Sequence, residues 1–149
     1  MSKTTRFGAG GAIAALGALV FVTPRYLFPV CEYFGVRMEM MGKTSPMQCY
    51  YTARASLLVG AIIVLAGIAV MIATRPEALR SLALVVGGAG IGVILIPTVL
   101  FPVCHNADMH CNQGAVPLLI VLGVTTLIMS GWLALASRKS SMEVSEAAV

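Results

Sequence analysis

Long apolar runs alternate with short polar stretches along this chain, and the charged residues mark where each run must stop. A membrane-spanning helix needs roughly 20 residues without charge, and four runs qualify. The first lies between Arg6 and Arg25, and Tyr26-Leu27-Phe28 beyond it lets Arg25 snorkel to the interface, giving a span over 7–28. The second, 55–74, is bounded tightly by Arg54 and Arg75, the third covers 81–101, and the fourth covers 114–137 and ends before Arg138. None alternates as a barrel strand does, and lipid offers the backbone no hydrogen bonds, so all four are predicted to be helices. The pattern predicts an all-α integral membrane four-helix bundle, a single domain over 1–149. Polar loops at about 29–54 and 102–113, a short turn at 75–80 and a disordered tail over 139–149 complete it.

Composition narrows the class further. Of 149 residues, 58% are hydrophobic and 11% charged, and the mean hydropathy is +0.92. Soluble domains carry about 25% charged residues, so an ordinary soluble domain is excluded, as is intrinsic disorder. The expected solvent is the lipid bilayer, and no nucleic-acid partner is expected.

Basic residues set the orientation, because positive flanks stay cytoplasmic. Lys3, Arg6, Arg75, Arg80, Arg138 and Lys139 fall on one side, against Arg25, Arg37, Lys43 and Arg54 on the other. Both termini are then cytoplasmic, in the cell membrane. A cleaved signal peptide would also start with Lys3 and Arg6, but no small-x-small cleavage site follows Val22.

Leu27-Phe28-Pro29-Val30-Cys31 recurs letter for letter as Leu100-Phe101-Pro102-Val103-Cys104. Each copy is followed by a polar loop holding Met-x-Cys, Met47-Gln48-Cys49 and Met109-His110-Cys111, and then by another apolar run. The unit is helix, Pro-x-Cys, loop, Met-x-Cys, helix. Two such hairpins in the same orientation make a parallel repeat about an axis along the membrane normal. Pro29 and Pro102 are expected to stop the helices they follow. In the run Gly87-Gly88-Ala89-Gly90-Ile91-Gly92, Gly88 and Gly92 stand at small-xxx-small spacing, which lets helices approach closely in a membrane.

All four cysteines, Cys31, Cys49, Cys104 and Cys111, fall in the two loops expected outside the cytoplasm, where disulfides form. Structural pairs Cys31–Cys49 and Cys104–Cys111 would each close a loop against its own hairpin, at roughly 3 kcal/mol for a loop of some fifteen residues. Linking Cys31 to Cys104 and Cys49 to Cys111 would instead staple the hairpins together. Thiol–disulfide chemistry is the sharper reading, since the layout resembles that of bacterial disulfide-generating quinone oxidoreductases. Those enzymes carry a Cys-x-x-Cys pair that tunes thiol reactivity. Here seventeen residues separate Cys31 from Cys49 and six separate Cys104 from Cys111, so the likeness is one of topology and cysteine count.

A metal or haem site is the third reading. Met47, His105, Met109 and His110 accompany the cysteines, and soft sulfur and imidazole ligands suit copper or haem iron. The same histidines also serve as interfacial hydrogen-bonding residues, and methionines are common in so apolar a chain. Tyr26, Tyr33, Tyr50, Tyr51 and Trp132 fit interfacial anchors, and Arg54 fits a lipid-headgroup contact or a functional cation. No ionisable residue falls mid-span, which argues against a proton or ion pathway within this chain. No catalytic residue is singled out.

The segments Leu27 to Glu32, Met47 to Ala55, Pro97 to Leu100 with Cys104, and Met109-His110-Cys111 before Gly114 and Pro117 resemble an uncharacterised prokaryotic family of small four-helix membrane proteins, domain of unknown function 4418. The resemblance implies a membrane location and co-occurrence with export-type ABC transporter subunits, and it carries no catalytic residues. The expectation is therefore a non-enzymatic accessory subunit of a larger membrane assembly, packing against other membrane protein subunits. The alternative is an extracytoplasmic redox, haem or copper protein.

Overall fold

A computed structural model describes residues 3–27, 38–40, 43–45, 48–100 and 111–146, with side chains for 3–27, 50–100 and 113–137. Helix α1 is Lys3–Val22, continued by a π-helical turn, π1, at Thr23–Leu27. Helix α2 is Gln48–Ile72, and α3 is Pro76–Leu95, continued by π2 at Ile96–Leu100. A third π turn, π3 at Cys111–Ala115, leads into α4, Val116–Glu146. Two three-residue strands, β1 (Met38–Met40) and β2 (Lys43–Ser45), pair antiparallel with Met38 opposite Ser45. The predicted all-α four-helix architecture is present, and each helix is long and apolar enough to cross a membrane.

Charge-free runs located the helices, but charge did not set their ends. Helix α2 begins at Gln48, seven residues before the expected 55, because Thr52 and Ala53 are buried against the bundle while Arg54 points out. Helix α3 begins at Pro76, where proline's fixed φ suits the first helical position and its missing N–H costs nothing, and Glu77 complements the helix dipole in the first turn. The expected turn at 75–80 thus shrinks to residues 73–75. Helix α4 runs to Glu146, through most of the stretch expected to be disordered. Lys139, Met142, Glu143 and Glu146 are good helix formers, and no Gly or Pro interrupts them. Pro29 and Pro102 lie outside the described residues. Pro24 and Pro97 are buried within π1 and π2, inside the continuous helical runs. A proline ring clashes with the carbonyl four residues back, and widening the turn relieves that clash. Beside each, a threonine hydroxyl donates to a backbone oxygen, Thr23 Oγ1 to Leu19 at 2.6 Å and Thr98 Oγ1 to Ile94 at 2.7 Å.

The helices form a ring in chain order, with extensive packing of α1 on α2 and of α3 on α4, and slighter contacts of α2 with α3 and α1 with α4. Glycines set the first pairing. A Cβ built on Gly17 would lie 2.7 Å from Val64 N, one on Gly60 2.8 Å from Phe21 N, and one on Gly67 2.6 Å from Ala14 N. These neighbours are backbone atoms, so the two helices touch main chain to main chain, as small residues permit in a membrane. Between α3 and α4 the approach runs through Gly90, Gly123 and Gly87. Gly87 faces Ser130, whose Oγ donates to Ala83 O at 2.9 Å. Gly88 and Gly92, the pair singled out by spacing, have open space where a Cβ would stand and meet no neighbour among the described residues. Consecutive glycines point around the whole helix, and the side that α4 covers is that of Gly87 and Gly90.

Several buried positions recur at fixed shifts along the chain. Moving 73 residues on, as from Leu27 to Leu100, carries buried Gly10, Ile13, Gly17, Val20 and Pro24 onto buried Ala83, Val86, Gly90, Val93 and Pro97, and π1 onto π2. Moving 63 residues on, as from Gly60 to Gly123, carries buried Ser56, Gly60, Gly67 and Val70 onto buried Leu119, Gly123, Ser130 and Leu133. Cys49 to Cys111 is a shift of only 62. The odd residue is absorbed by π3, since a π turn is a one-residue insertion in an α-helix.

Candidate functional site

The cysteine-bearing end of the bundle is built by helix ends that converge. Cys49 is the second residue of α2, and Cys111 opens π3. Cys31 follows Leu27, the end of π1, by four residues, and Cys104 follows Leu100, the end of π2, by the same number; both lie outside the described residues. At this end π1 meets π3 and α2, while π2 meets α2 and α4. In the ring, α1 and α3 are diagonal to each other, and so are α2 and α4. Cys49 and Cys111 therefore open elements that lie on one diagonal of the ring, and the pairings that involve Cys31 or Cys104 fall outside the described residues.

Met47, His105, Met109 and His110 lie outside the described residues. Among the described residues no group of three His, Cys, Asp or Glu side chains converges.

Among the side chains defined at this end are two basic and three aromatic ones, Arg25, Arg54, Tyr26, Tyr50 and Tyr51. Arg54 Nη2 donates to the Tyr50 hydroxyl at 2.6 Å, and its guanidinium lies 5.1 Å from the centroid of the Tyr50 ring. Tyr51 meets Tyr50 edge to face, with ring centroids 5.8 Å apart. On π1, Arg25 lies 5.9 Å from the ring centroid of Tyr26, and both are exposed. Sequence identified Tyr26, Tyr50, Tyr51 and Arg54 as separate interfacial residues. The i, i+4 spacing of Tyr50 and Arg54 was the available signal that they form one unit.

At the opposite end, Arg6 Nη1 donates to Ala73 O at 2.6 Å, just beyond the last turn of α2. A cation there suits the negative end of the helix dipole. Its Nε is buried without a hydrogen-bond partner among the described residues.

Between 28% and 39% of each apolar stretch is buried inside the chain. The rest of that surface, including exposed Leu58, Leu65, Leu84, Ile128 and Leu135, faces outward. Apolar surface on this scale belongs in lipid, and the protein is a multi-pass membrane protein. No curated protein and no solved structure matches the chain. The model of a family described as a domain of unknown function, DUF4418, matches residues 13–136, which take in parts or all of the four helices and both cysteine-bearing segments, and the chain belongs to that family.

Proposed function

We propose that the protein is a small accessory subunit of a larger membrane assembly, with ABC-type transporters as the class of assembly implied by the family resemblance. One observation carries this reading. Gly88 and Gly92 stand four residues apart on α3 with open space at both, although most glycines of the bundle are closed against a neighbouring helix. Small-xxx-small spacing lets a further helix approach to backbone distance, and a helix from another subunit is the occupant this reading assigns to it. In this reading the chain is a tandem pair of one helix hairpin, both termini are cytoplasmic, and disulfides staple the extracytoplasmic loops. Cross-linking in native membranes followed by purification tests it. The wild type is expected to bring down a membrane partner that Gly88→Leu/Gly92→Leu loses while remaining helical. An unchanged partner set in that variant would contradict the reading.

A second reading, extracytoplasmic thiol–disulfide exchange or haem or copper binding, is favoured by the gathering of Cys49 and Cys111 with π1 and π2 at one end. It predicts a thiol state that shifts with added quinone or thiol oxidant, or an absorbance band or metal stoichiometry on purification. Cysteines fully paired and indifferent to oxidant, in protein free of metal and haem, count against it.

A further inference from the structure

The close glycine approaches divide the bundle into two helix pairs. The nearest neighbours of Gly10, Gly17, Gly60 and Gly67 are atoms of α1 and α2, and those of Gly87, Gly90 and Gly123 are atoms of α3 and α4. The bond from Ser130 Oγ to Ala83 O falls within the second pair, and that from Arg6 Nη1 to Ala73 O ties the start of α1 to the end of α2 in the first. Across the two pairs runs a shared core of aliphatic side chains, with Ile13, Val20 and Ile63 from one and Val86, Val93 and Leu119 from the other.

A membrane acts differently on these two kinds of contact. Lipid tails are as apolar as leucine or valine, so no hydrophobic force holds an aliphatic seam shut, and helices in lipid associate through close packing and hydrogen bonds. Glycine-mediated backbone contact therefore makes each pair a unit, and the seam between the pairs is the weaker surface. Packing across it, of α2 on α3 and of α1 on α4, is correspondingly slight. The two ends of the seam also differ. At one end residues 73–75 join the pairs, and Arg6 holds Ala73. At the other, segments 28–47 and 101–110 each return to their own pair, and contacts of π1 with π3 and of α2 with π2 close the seam. A short connection at one end, with the main chain unlinked at the other, is the geometry of a hinge, and rocking of one helical unit against another is a common membrane-protein motion.

We infer that the two helix pairs are rigid bodies hinged at residues 73–75, and that the bundle opens and closes at its cysteine-bearing end. The motion rests on the protein's membrane location and is independent of its proposed role as a subunit. Cys31 and Cys49 belong to the first pair and Cys104 and Cys111 to the second. Disulfides within a pair leave the motion free, and a disulfide across the pairs clamps it.

Double electron–electron resonance on the full chain in lipid nanodiscs tests this, with the native cysteines reduced beforehand and the spin labels carried on an encoded keto amino acid. Labels at exposed Tyr26 and Val99 read the distance across the seam at the opening end, and labels at exposed Phe7 and Arg80 read it beside the hinge. Tyr26 with Leu58 and Val99 with Val121 reuse the same sites within one pair and register local fraying of π1 or π2. The Tyr26–Val99 distribution should extend to longer distances than the closed bundle allows, while the other three stay narrow. Circular dichroism checks that the labelled variants fold, and should labels at Tyr26 or Val99 disturb the fold, exposed Leu27 and Leu100 take their place. Four equally narrow distributions would overturn the hinge. So would a Phe7–Arg80 distribution as wide as that of Tyr26–Val99, which means separation along the whole seam, or an equally wide distribution within either pair, which means fraying.

Discussion

Substituting Gly60 by alanine tests whether α1 and α2 pack main chain to main chain. The new methyl would stand 2.8 Å from Phe21 N and 3.0 Å from both Gly17 O and Phe21 Cα. All three are backbone atoms, so no rotamer change relieves the clash and α1 must move away by several tenths of an ångström. A gap of 0.5–1 Å forfeits roughly a quarter to a half of each contact's dispersion energy, and overpacking of this kind costs about 1–3 kcal/mol. Alanine also gains about 1 kcal/mol of helix propensity over glycine, which partly masks the clash. Gly88→Ala supplies the reference, since it gains the same propensity and meets no atom within 4 Å. The difference between the two variants isolates the steric part, and Gly60→Ala should be less stable than Gly88→Ala by about 2 kcal/mol. Equilibrium unfolding in mixed micelles, followed by circular dichroism, measures it. Equal stability of the two variants would refute the packing argument.

Three further outcomes are expected. Arg6→Met, which removes the donor to Ala73 O, should lower stability by about 1–2 kcal/mol in the same unfolding assay, because a partly buried charged hydrogen bond at a helix C-terminus is lost. Ser130→Ala removes the inter-helix bond to Ala83 O and should cost about 0.6 kcal/mol, the typical value for such bonds in a membrane protein. If disulfides staple each loop to its own hairpin, peptide mapping after alkylation without reduction should recover Cys31–Cys49 and Cys104–Cys111 and no Cys31–Cys104 link.

The spans were legible because lipid tolerates so little charge that the arginines bracket them. Their ends were not, because helix boundaries follow local backbone chemistry. Proline at the first position opens α3 at Pro76, and an unbroken run of helix formers carries α4 to Glu146. Buried Pro24 and Pro97 could have been read as sites of helix widening, since each lies inside an apolar run five residues before a second proline. The packing glycines were legible only in kind. Spacing on one helix cannot say which side a partner covers, so Gly88 and Gly92 satisfied the motif while Gly87 and Gly90 make the contacts. Gly10 and Gly17 on one run and Gly60 and Gly67 on the next, each seven residues apart, were the better signal, because matched spacings on successive helices imply a shared antiparallel seam. Of the candidate site, Tyr50, Tyr51 and Arg54 were each legible singly, and the i, i+4 spacing of Tyr50 and Arg54 on one helix was the signal that joins them. Met47, His105, Met109 and His110 lie outside the described residues, and the structure neither groups nor separates them.

The most direct test of the account is the sidedness of the four native cysteines. Intact cells, or right-side-out vesicles from them, would be reduced gently and treated with a membrane-impermeant maleimide, and each labelled peptide would be read by mass spectrometry. Four spans with cytoplasmic termini predict labelling of Cys31, Cys49, Cys104 and Cys111 from outside. Labelling of any of them only in inverted vesicles would contradict the four-span arrangement with its two cysteine loops in one extracytoplasmic compartment.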